Sequence, residues 1–181
     1  MKSFSGHFPI FLTGFMGSGK STIGRSMSQL TQIPLLELDD CIERLSKSSI
    51  TEIFNESGEE GFRQIETEAL HNLDLKSKLI VSTGGGTPVF NDNMEWMIKR
   101  GCVVHLQCRP GVLFHRLAPE KLQRPLLSSL SDTELMVFII DVLKNRLPFY
   151  SKAHLEVNAE KTPDEVAKEI INKLKIPLTN F

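Results

Sequence analysis

The sequence predicts an α/β fold in a single domain, residues 1–181, and three observations support this. Five short apolar segments have the continuous hydrophobicity of buried parallel strands. Stretches of helical length separate them, as crossover connections between parallel strands require. A glycine-rich loop directly follows the first of these segments. A chain of 181 residues is long enough for one domain to bury roughly 70% of its unfolded surface.

The five predicted strands are runs of apolar residues, several of them β-branched, which is typical of strands buried on both faces. Turn-forming residues bound them, and glycine and proline are the commonest of these. In chain order they are residues 9–13 (PIFLT), 34–38 (PLLEL), 79–83 (LIVST), 102–107 (CVVHLQ) and 154–157 (HLEV).

Two helices are predicted in the first half of the chain. One follows the glycine-rich loop and has the sequence KSTIGRSMSQL. The other covers residues 58–73, because apolar side chains recur there at helical spacing on one face. These side chains are Phe62, Ile65, Ala69 and Leu73.

The second half contains an interruption between two helical stretches, near 110–117 and 131–147. The intervening residues 118–130 contain two prolines, and we interpret them as a mobile flap; an irregular rigid connection is the alternative. The final helix begins after Thr162, which is a predicted N-cap because a proline occupies the first helical position and Glu165 follows three residues later.

The composition is ordinary for a globular protein, with 40% hydrophobic and 24% charged residues. A formal net charge of −1 argues against a general binder of nucleic acids or anionic membranes, which usually carries a basic surplus. No apolar run approaches the ~20 residues of a membrane span. Because the three cysteines are scattered and the start lacks a signal-peptide core, we expect reduced thiols and a cytoplasmic location.

The loop GFMGSGKST, residues 14–22, fits the phosphate-binding pattern G-x-x-x-x-G-K-[ST]. Glycines let backbone N–H groups wrap closely around phosphates at a helix N-terminus, whose partial positive charge favours anions. Lys20 is expected to reach the β and γ phosphates, and Ser21 to supply an oxygen to Mg²⁺. The loop therefore predicts binding of a nucleoside triphosphate, against the alternative of a glycine-rich turn without a ligand. The predicted contacts are Gly17, Ser18, Gly19, Lys20, Ser21 and Thr22.

Further clusters indicate the phosphate acceptor. The sequence LELDDCIE places Glu37 and Asp39 at a strand's carboxyl end, where ligands of open α/β sheets bind. In GEEGFRQIE, Arg63 and Glu66 lie at i and i+3, so the carboxylate is able to orient the guanidinium. The third predicted strand ends in STGGGTP, and the later segments QRPLL and NRLPFY supply Arg124 and Arg146. Two arginines and an aspartate describe a small hydroxylated acid.

Each residue also has a purely structural interpretation. Arg63 could pair with Glu59 or Glu66 on a solvated helix face. Asp39 could cap the helix that begins at DCIERL, and Arg124 could be an ordinary residue of the flap. The run Gly84–Gly86 could be only a turn.

Taken together, these motifs resemble the shikimate kinase family. GxxxxGKS, a carboxylate-x-Asp pair, GEEGFRxxE, TGGG, RPLL and R-x-P-x-Y occur in order between about Ile10 and Leu174. The resemblance implies a three-layer α/β/α P-loop kinase fold with a five-stranded parallel sheet of order 2-3-1-4-5. It implies a substrate-binding region at about 34–63, a LID at about 118–130 and a monomer. It also implies transfer of the γ-phosphate of ATP to the 3-hydroxyl of shikimate, on the route to chorismate and the aromatic amino acids.

The same resemblance implies roles for the individual residues. Asp39 would bind the shikimate hydroxyls and is a candidate acceptor of the attacking proton. The two arginines Arg63 and Arg146 would grip the carboxylate, while Arg124 closes over the transferring phosphate and Arg116 stacks on adenine. The catalytic set is then Lys20, Asp39 and Arg124, and the substrate contacts are Asp39, Phe54, Phe62, Arg63, Gly84, Gly85, Gly86 and Arg146.

One departure concerns the metal. The family usually has Asp-x-Asp after the second strand, whereas this chain has Glu37-Leu38-Asp39. Glutamate keeps the charge and adds one methylene, so we expect Ser21 and Glu37 to serve the Mg²⁺, with the water shell rearranged. Ser82 is expected to contact that shell.

Two other functions remain open on the sequence. One is a different small-molecule kinase of the same fold, such as a gluconate kinase or a nucleoside-monophosphate kinase. A nucleotide acceptor would require arginines for a second phosphate group, whereas the two clamp candidates suit one carboxylate. The other is a catalytically silent nucleotide-binding module, in which loss of Lys20, Asp39 or Arg124 would be expected; all three are present.

Overall fold

Five parallel strands form one sheet in the computed structural model, which describes residues 8–124 and 126–178. The order across the sheet is β2-β3-β1-β4-β5, as the resemblance implied. The strands are β1 (Ile10–Thr13), β2 (Leu35–Glu37), β3 (Ile80–Ser82), β4 (Cys102–Gln107) and β5 (Leu155–Asn158).

Helices connect the strands and cover both faces of the sheet. They are α1 (Lys20–Thr31), α2 (Leu38–Ser46), α3 (Ile50–His71), α4 (Asn93–Arg100), α5 (Pro110–Leu117), α6 (Asp132–Tyr150) and α7 (Pro163–Leu174). Short 3₁₀ helices span Thr87–Val89 and Ala118–Gln123.

Alternation of side chains along the buried strands produces two cores. On one face, Ile10 and Leu12 of β1 pack with apolar residues of α1 and α7. On the other, Phe11 packs with residues of α2, α3 and α4. Helices α5 and α6 enclose a third cluster with Phe15, just after β1. The fold is therefore a three-layer α/β/α sandwich with a helical subdomain at the carboxyl edge of the sheet.

Strand register brings the functional segments together. Leu12 of β1 pairs with Ser82 at the end of β3, and Ser82 in turn pairs with Glu37 at the end of β2. On the other side of β1, Thr13 pairs with His105 of β4. All of these strands run in the same direction, so the phosphate loop, the acidic segment and the glycine run emerge at one edge.

The second predicted strand is shorter than expected, because the helix begins earlier. Leu38, assigned to a strand, is the first residue of α2 and is fully buried. Glu37 occupies the N-cap position, and Asp39 lies in the first turn. The capping role considered for Asp39 is therefore wrong, and its carboxylate is available for another purpose.

Helix α3 begins eight residues before the predicted start at 58. Ser49 and Glu52 form a reciprocal capping box at its N-terminus. The helix is interrupted at Gly58, which has φ of +66°, a conformation that glycine adopts without strain. The residues before Gly58 have a short apolar stripe of their own, Ile50, Ile53 and Phe54. Gly58 separates this stripe from the following segment, which explains why the early turns were missed. Helix α4 was also not predicted.

The last two helices agree with the sequence patterns, with one extension. Helix α6 continues to Tyr150, past Pro148, whereas the prediction ended at 147. Helix α7 begins after Thr162, whose hydroxyl accepts from the Glu165 N–H in a complete capping box. The predicted N-cap is confirmed.

The segment predicted as a flap has local structure of its own. Ala118–Gln123 forms a 3₁₀ helix, and Leu127 is buried in the cluster between α5 and α6. Pro125 lies outside the described residues. Among the helices of the described ranges, none is long and apolar enough to cross a membrane.

Candidate active site

A cavity of about 580 Å³ opens at the carboxyl edge of the sheet. It joins the phosphate loop to the ends of β2 and β3 and to helix α5. Its lining includes most of the residues that the sequence singled out, namely Gly17, Ser18, Gly19, Lys20, Ser21, Thr22, Glu37, Asp39, Ser82, Gly84, Gly85, Arg116 and Arg124. One concave space therefore contains the predicted phosphate and metal groups together with Asp39, Gly84 and Gly85 of the predicted acceptor site.

The phosphate loop is shaped by glycines in a backbone conformation that other residues rarely adopt. Gly17 and Gly19 have φ of +80° and +92°. Gly19 is the N-cap of α1, so the positive end of the helix faces the cavity. The hydroxyl of Ser18 is buried and lacks a hydrogen-bond partner among the described residues. The loop thus presents donors for an anion.

Lys20 is the main cation at the loop. Its ammonium donates to the carbonyl oxygens of Gly14 and Phe15, at 2.8 and 3.0 Å. Burial lowers its pKa to about 8; the charge of Asp39 opposes this shift, and those of Arg146 and Arg124 add to it. A polyphosphate beside Lys20 would favour the charged form.

Three oxygen-bearing side chains meet beside Lys20. The hydroxyl of Ser21 donates to Glu37 Oε2 at 2.9 Å and lies 3.5 Å from the hydroxyl of Ser82. Glu37 Oε1 is buried without a hydrogen-bond partner among the described residues, and it lies 3.8 Å from Arg25 Nη2. Hydroxyl and carboxylate oxygens are the ligands that Mg²⁺ prefers.

Arg63 is buried, contrary to the alternative of a solvated helix face. Its relative exposure is 5%, and its guanidinium contacts the rings of Phe62 and Phe90, with its carbon 5.1 and 4.8 Å from the ring centroids. Nη1 donates to Glu66 at 2.8 Å, and Nη2 donates to the more exposed Glu59 at 3.1 Å. Nε is buried without a partner among the described residues.

Glu66 fixes this arginine. The carboxylate is fully buried, and it also accepts a 2.5 Å hydrogen bond from the hydroxyl of Thr87. Glu66 thus accepts two charge-assisted bonds, one from Arg63 within α3 and one from Thr87, and the second links α3 to the 3₁₀ helix that follows the glycine run. The orienting role expected for Glu66 agrees with this geometry, whereas the contribution of Thr87 carried no signal in the sequence.

The two clamp arginines flank the glycine run. A Cβ atom added to Gly86 would lie 2.5 Å from Arg63 Cζ, and one added to Gly85 would lie 3.4 Å from Arg146 Nη1. Only glycine allows the backbone to approach the guanidinium of Arg63 so closely. Arg146 is 7% exposed, and its Nη1 lacks a hydrogen-bond partner among the described residues.

Asp39 lies in the cavity with its side chain accessible to solvent. Its pKa is raised, chiefly because the surrounding cleft reduces hydration of the charged form and secondarily because Glu66 is nearby; Lys20 opposes the shift. A carboxylate with a raised pKa is a stronger base than an ordinary aspartate.

The comparisons with known proteins point to one family. The family model described as "Shikimate kinase" matches residues 16–175, most of the chain. The chain belongs to the shikimate kinase family. It is an ATP-dependent small-molecule kinase, and its reaction is that of shikimate kinase, as the sequence motifs predicted.

Relatives support the membership. A shikimate kinase from Bacteroides thetaiotaomicron is 44% identical over 155 residues, covering 86% of this chain and 89% of the relative. One from Phocaeicola vulgatus is 45% identical over 156 residues, with coverage of 86% and 89%.

Solved structures agree. The shikimate kinase of Bacteroides thetaiotaomicron superposes with a TM-score of 0.85 at 41% identity, covering 92% of this chain and 97% of that one. That of Acinetobacter baumannii, in complex with shikimate, has a TM-score of 0.85 at 34% identity, with 94% of each chain covered. A gluconokinase from Sinorhizobium meliloti, at 16% identity and a TM-score of 0.60, shares the fold alone.

Not every predicted residue of this shikimate kinase family member lines the cavity. Phe54 and Phe62 stack on each other with ring centroids 4.5 Å apart, and Phe62 is buried in the core. Arg63, Gly86 and Arg146 also lie behind the lining. The two arginines lie beside the glycine run and pack on aromatic rings, Arg63 on Phe62 and Phe90 and Arg146 on Phe15.

The remaining predicted groups surround the nucleotide side. Arg116 donates to the carbonyl oxygens of Gly17 and Ala159, both at 3.1 Å. Arg124 lines the cavity and pairs with Glu120 at 3.1 Å. Sequence reasoning did not single out Lys161, which lines the same space from the segment before α7.

Proposed function

We propose that the chain transfers the γ-phosphate of ATP to the 3-hydroxyl of shikimate within the 580 Å³ cavity, giving shikimate 3-phosphate and ADP on the route to chorismate. One observation carries this proposal. A phosphate loop and Asp39 share a cavity whose wall, the glycine run, lies against two buried arginines. Phosphoryl transfer depends mainly on positioning and on charge stabilisation, and these residues supply both.

The carboxylate of shikimate binds Arg63 and Arg146. Arg63 already holds Glu59 through Nη2, and that glutamate side chain is 44% exposed. A substrate carboxylate is the same kind of acceptor and competes for this nitrogen, while Glu66 keeps its own bond to Nη1. Phe54 and Phe62 support the arginine from α3, and Gly84, Gly85 and Gly86 bring backbone N–H groups towards the substrate.

Asp39 orients the acceptor hydroxyl and accepts its proton. Its pKa is raised, first by its surroundings and then by Glu66, which makes it a stronger base than an ordinary aspartate. Lys20 and Arg124 stabilise the charge on the phosphoryl group as it moves. Both already line the cavity together with Asp39.

Mg²⁺ fits the cluster formed by Ser21, Glu37 and Ser82. The buried Glu37 Oε1, which has no hydrogen-bond partner among the described residues, supports this assignment. Mg²⁺ usually takes one or two carboxylates plus substrate phosphates, so a cluster with one carboxylate is sufficient. When bound, Mg²⁺ neutralises charge on the β and γ phosphates. Within the described ranges, no group of three His, Cys, Asp or Glu side chains offers a separate metal site.

ATP occupies the phosphate loop, from Gly17 to Thr22, and its adenine stacks on Arg116. Residues 118–130 act as the LID that carries Arg124, and residues 34–63 form the substrate-binding region of a single kinase domain. The exposed pair between Arg124 and Glu120 is weak enough to exchange for a phosphate contact.

We further propose a monomer located in the cytoplasm and without a nucleic-acid partner. The three cysteines are free thiols, as expected in a reducing compartment. A net charge of −1 offers no general attraction for nucleic acid. Light scattering of the purified chain measures its oligomeric state directly.

Release of ADP from ATP tests the acceptor. Purified protein with Mg²⁺ is assayed in parallel with shikimate, gluconate, quinate and nucleoside monophosphates, and rapid release is expected with shikimate alone. Lys20→Met is the matched control, because it removes the phosphate-binding charge and excludes a contaminating kinase. Comparable release with gluconate, or none with shikimate in protein that still binds ATP, would overturn the proposal.

A further inference from the structure

The end of helix α6 is tied to the glycine run by a single side chain. The hydroxyl of Tyr150 donates to the carbonyl oxygen of Gly85 at 2.6 Å. Tyr150 is fully buried and lies 65 residues from Gly85 along the chain. Arg146 precedes Tyr150 by four residues, so both side chains project from the same face of α6. The helix therefore presents a clamp arginine and a tether to the same turn.

The tether fixes the direction of a neighbouring donor. The carbonyl of Gly85 and the N–H of Gly86 belong to one planar trans peptide group, so they point in opposite directions. Once Tyr150 holds the carbonyl, the N–H of Gly86 is directed away from Tyr150. Across residues 8–124 and 126–178, no hydrogen bond within the chain uses this N–H. The backbone at Gly86 lies against the guanidinium of Arg63.

The ring of Tyr150 packs against a second ring. The ring of His105, on β4, stacks on it with centroids 4.7 Å apart and an interplanar angle of 23°. Burial, and secondarily the charge of Lys20, lowers the pKa of His105 to about 4, so the imidazole is neutral at physiological pH. Burial also raises the pKa of Tyr150 and keeps its hydroxyl protonated as a donor. The sheet thus supports the tether without adding a charge.

We propose that Tyr150 is a positioning residue for shikimate binding, which sets the orientation of the Gly85–Gly86 peptide between Arg63 and Arg146. The inference rests on the proposed function and deepens it. Tyr150 does not contact the substrate; its hydroxyl aligns the Gly86 N–H with the two guanidinium groups, so that one carboxylate meets three donor groups at once. Loss of the hydroxyl frees this peptide to rotate and weakens shikimate binding, with no direct effect on ATP.

Two variants separate the hydrogen bond from the packing of the ring. Tyr150→Phe removes only the hydroxyl, whereas Tyr150→Leu also removes the stacking on His105. Thr31→Val is the control for the loss of a buried hydrogen bond from a hydroxyl to a backbone carbonyl. Thr31 donates such a bond to Met27 at 2.7 Å, at the far end of α1. Steady-state kinetics with each substrate, calorimetric titration of shikimate without nucleotide, and the melting temperature are measured for all three.

Both Tyr150 variants are expected to raise the shikimate KM and Kd about tenfold, the effect of one lost hydrogen bond. The ATP KM and kcat should stay within about threefold of wild type, and only Tyr150→Leu should lose substantial thermal stability. An unchanged shikimate Kd in Tyr150→Phe overturns the inference, as does a KM that rises in step with the loss of melting temperature. Failure of the wild type to use shikimate would instead overturn the proposed function.

Discussion

Replacing Arg63 by Lys keeps a positive charge in the clamp and removes the planar fork. The guanidinium is 5% exposed, and two of its nitrogens bind Glu66 and Glu59. Arg63→Lys retains one point charge, which Glu66 is expected to hold because that carboxylate is fully buried. Little donor capacity then remains for a substrate carboxylate.

The size of the effect follows from the lost contact. A hydrogen bond to a charged group contributes roughly 1.5–3 kcal/mol, so one missing bond raises the shikimate KM by about 10- to 150-fold. The proposed ATP site is the phosphate loop, and Arg63 is not among the residues that line the cavity at this loop. The ATP KM should therefore change by less than about twofold.

The rate of ADP release, measured at varied shikimate and at varied ATP concentrations, gives the KM for each substrate. Arg100→Lys is the matched control, because Arg100 is an exposed arginine that packs on Trp96, away from the cavity; its kinetics should equal those of wild type. Equal increases in the two KM values for Arg63→Lys would refute a carboxylate clamp and would indicate a general disturbance of the fold.

Three further predictions concern the base, the metal and the lid. Asp39→Asn should lower kcat by roughly 10²–10⁴ and raise the melting temperature at pH 7.5. The higher melting temperature is expected because the pKa of Asp39 is raised in the folded protein, first by its surroundings and then by Glu66. Above that pKa the charged carboxylate therefore destabilises the folded state, and asparagine removes this charge. Wild-type kcat should fall as the pH is lowered through this pKa. Glu37→Gln should increase the Mg²⁺ concentration needed for half-maximal ADP binding, measured by calorimetry, relative to the exposed control Glu43→Gln. Amides of residues 118–130 should exchange hydrogen more slowly when ATP and shikimate are both bound.

Each of these has a contrary outcome. Near-normal turnover of Asp39→Asn would remove the base role, and an unchanged melting temperature would remove the electrostatic argument. Equal metal dependence in the two glutamate variants would exclude Glu37 from the magnesium site. Unaltered exchange across 118–130 would make this segment a rigid connection, the alternative considered from its sequence.

The sequence predicted the features that depend on local chemistry. The phosphate loop was recognisable because the two glycines of its motif, Gly14 and Gly19, lie where φ is positive, and because Lys20 and Ser21 follow directly. The cap of α7 followed from Thr162 and Glu165, which satisfy each other's backbone donors within one turn. The sheet order, in contrast, came from the resemblance, since apolar strands carry little information about their neighbours.

Features that depend on distant contacts could not be derived in this way. The bond from Tyr150 to Gly85 spans 65 residues, and that from Thr87 to Glu66 spans 21. Burial of Arg63 was equally invisible, because the i,i+3 and i,i+4 spacing of its partners is also typical of exposed helix surfaces. The early turns of α3 were missed because Gly58 divides the helix.

The two halves of the site are organised by different physical means. The proposed nucleotide half relies on the backbone N–H groups of a glycine loop at a helix N-terminus, and glycine adopts the positive φ of this loop without strain. The proposed acceptor half uses charged side chains: the buried Arg63, Glu66 and Arg146, and the solvent-accessible Asp39, whose pKa is raised. Burying such groups removes their hydration, and apolar replacements of buried ion pairs are often neutral or stabilising. The buried charges of the acceptor half are therefore expected to reduce stability, so substitutions there should separate stability from activity. Substitution of the loop glycines Gly17 and Gly19, by contrast, should reduce nucleotide binding without a stabilising effect.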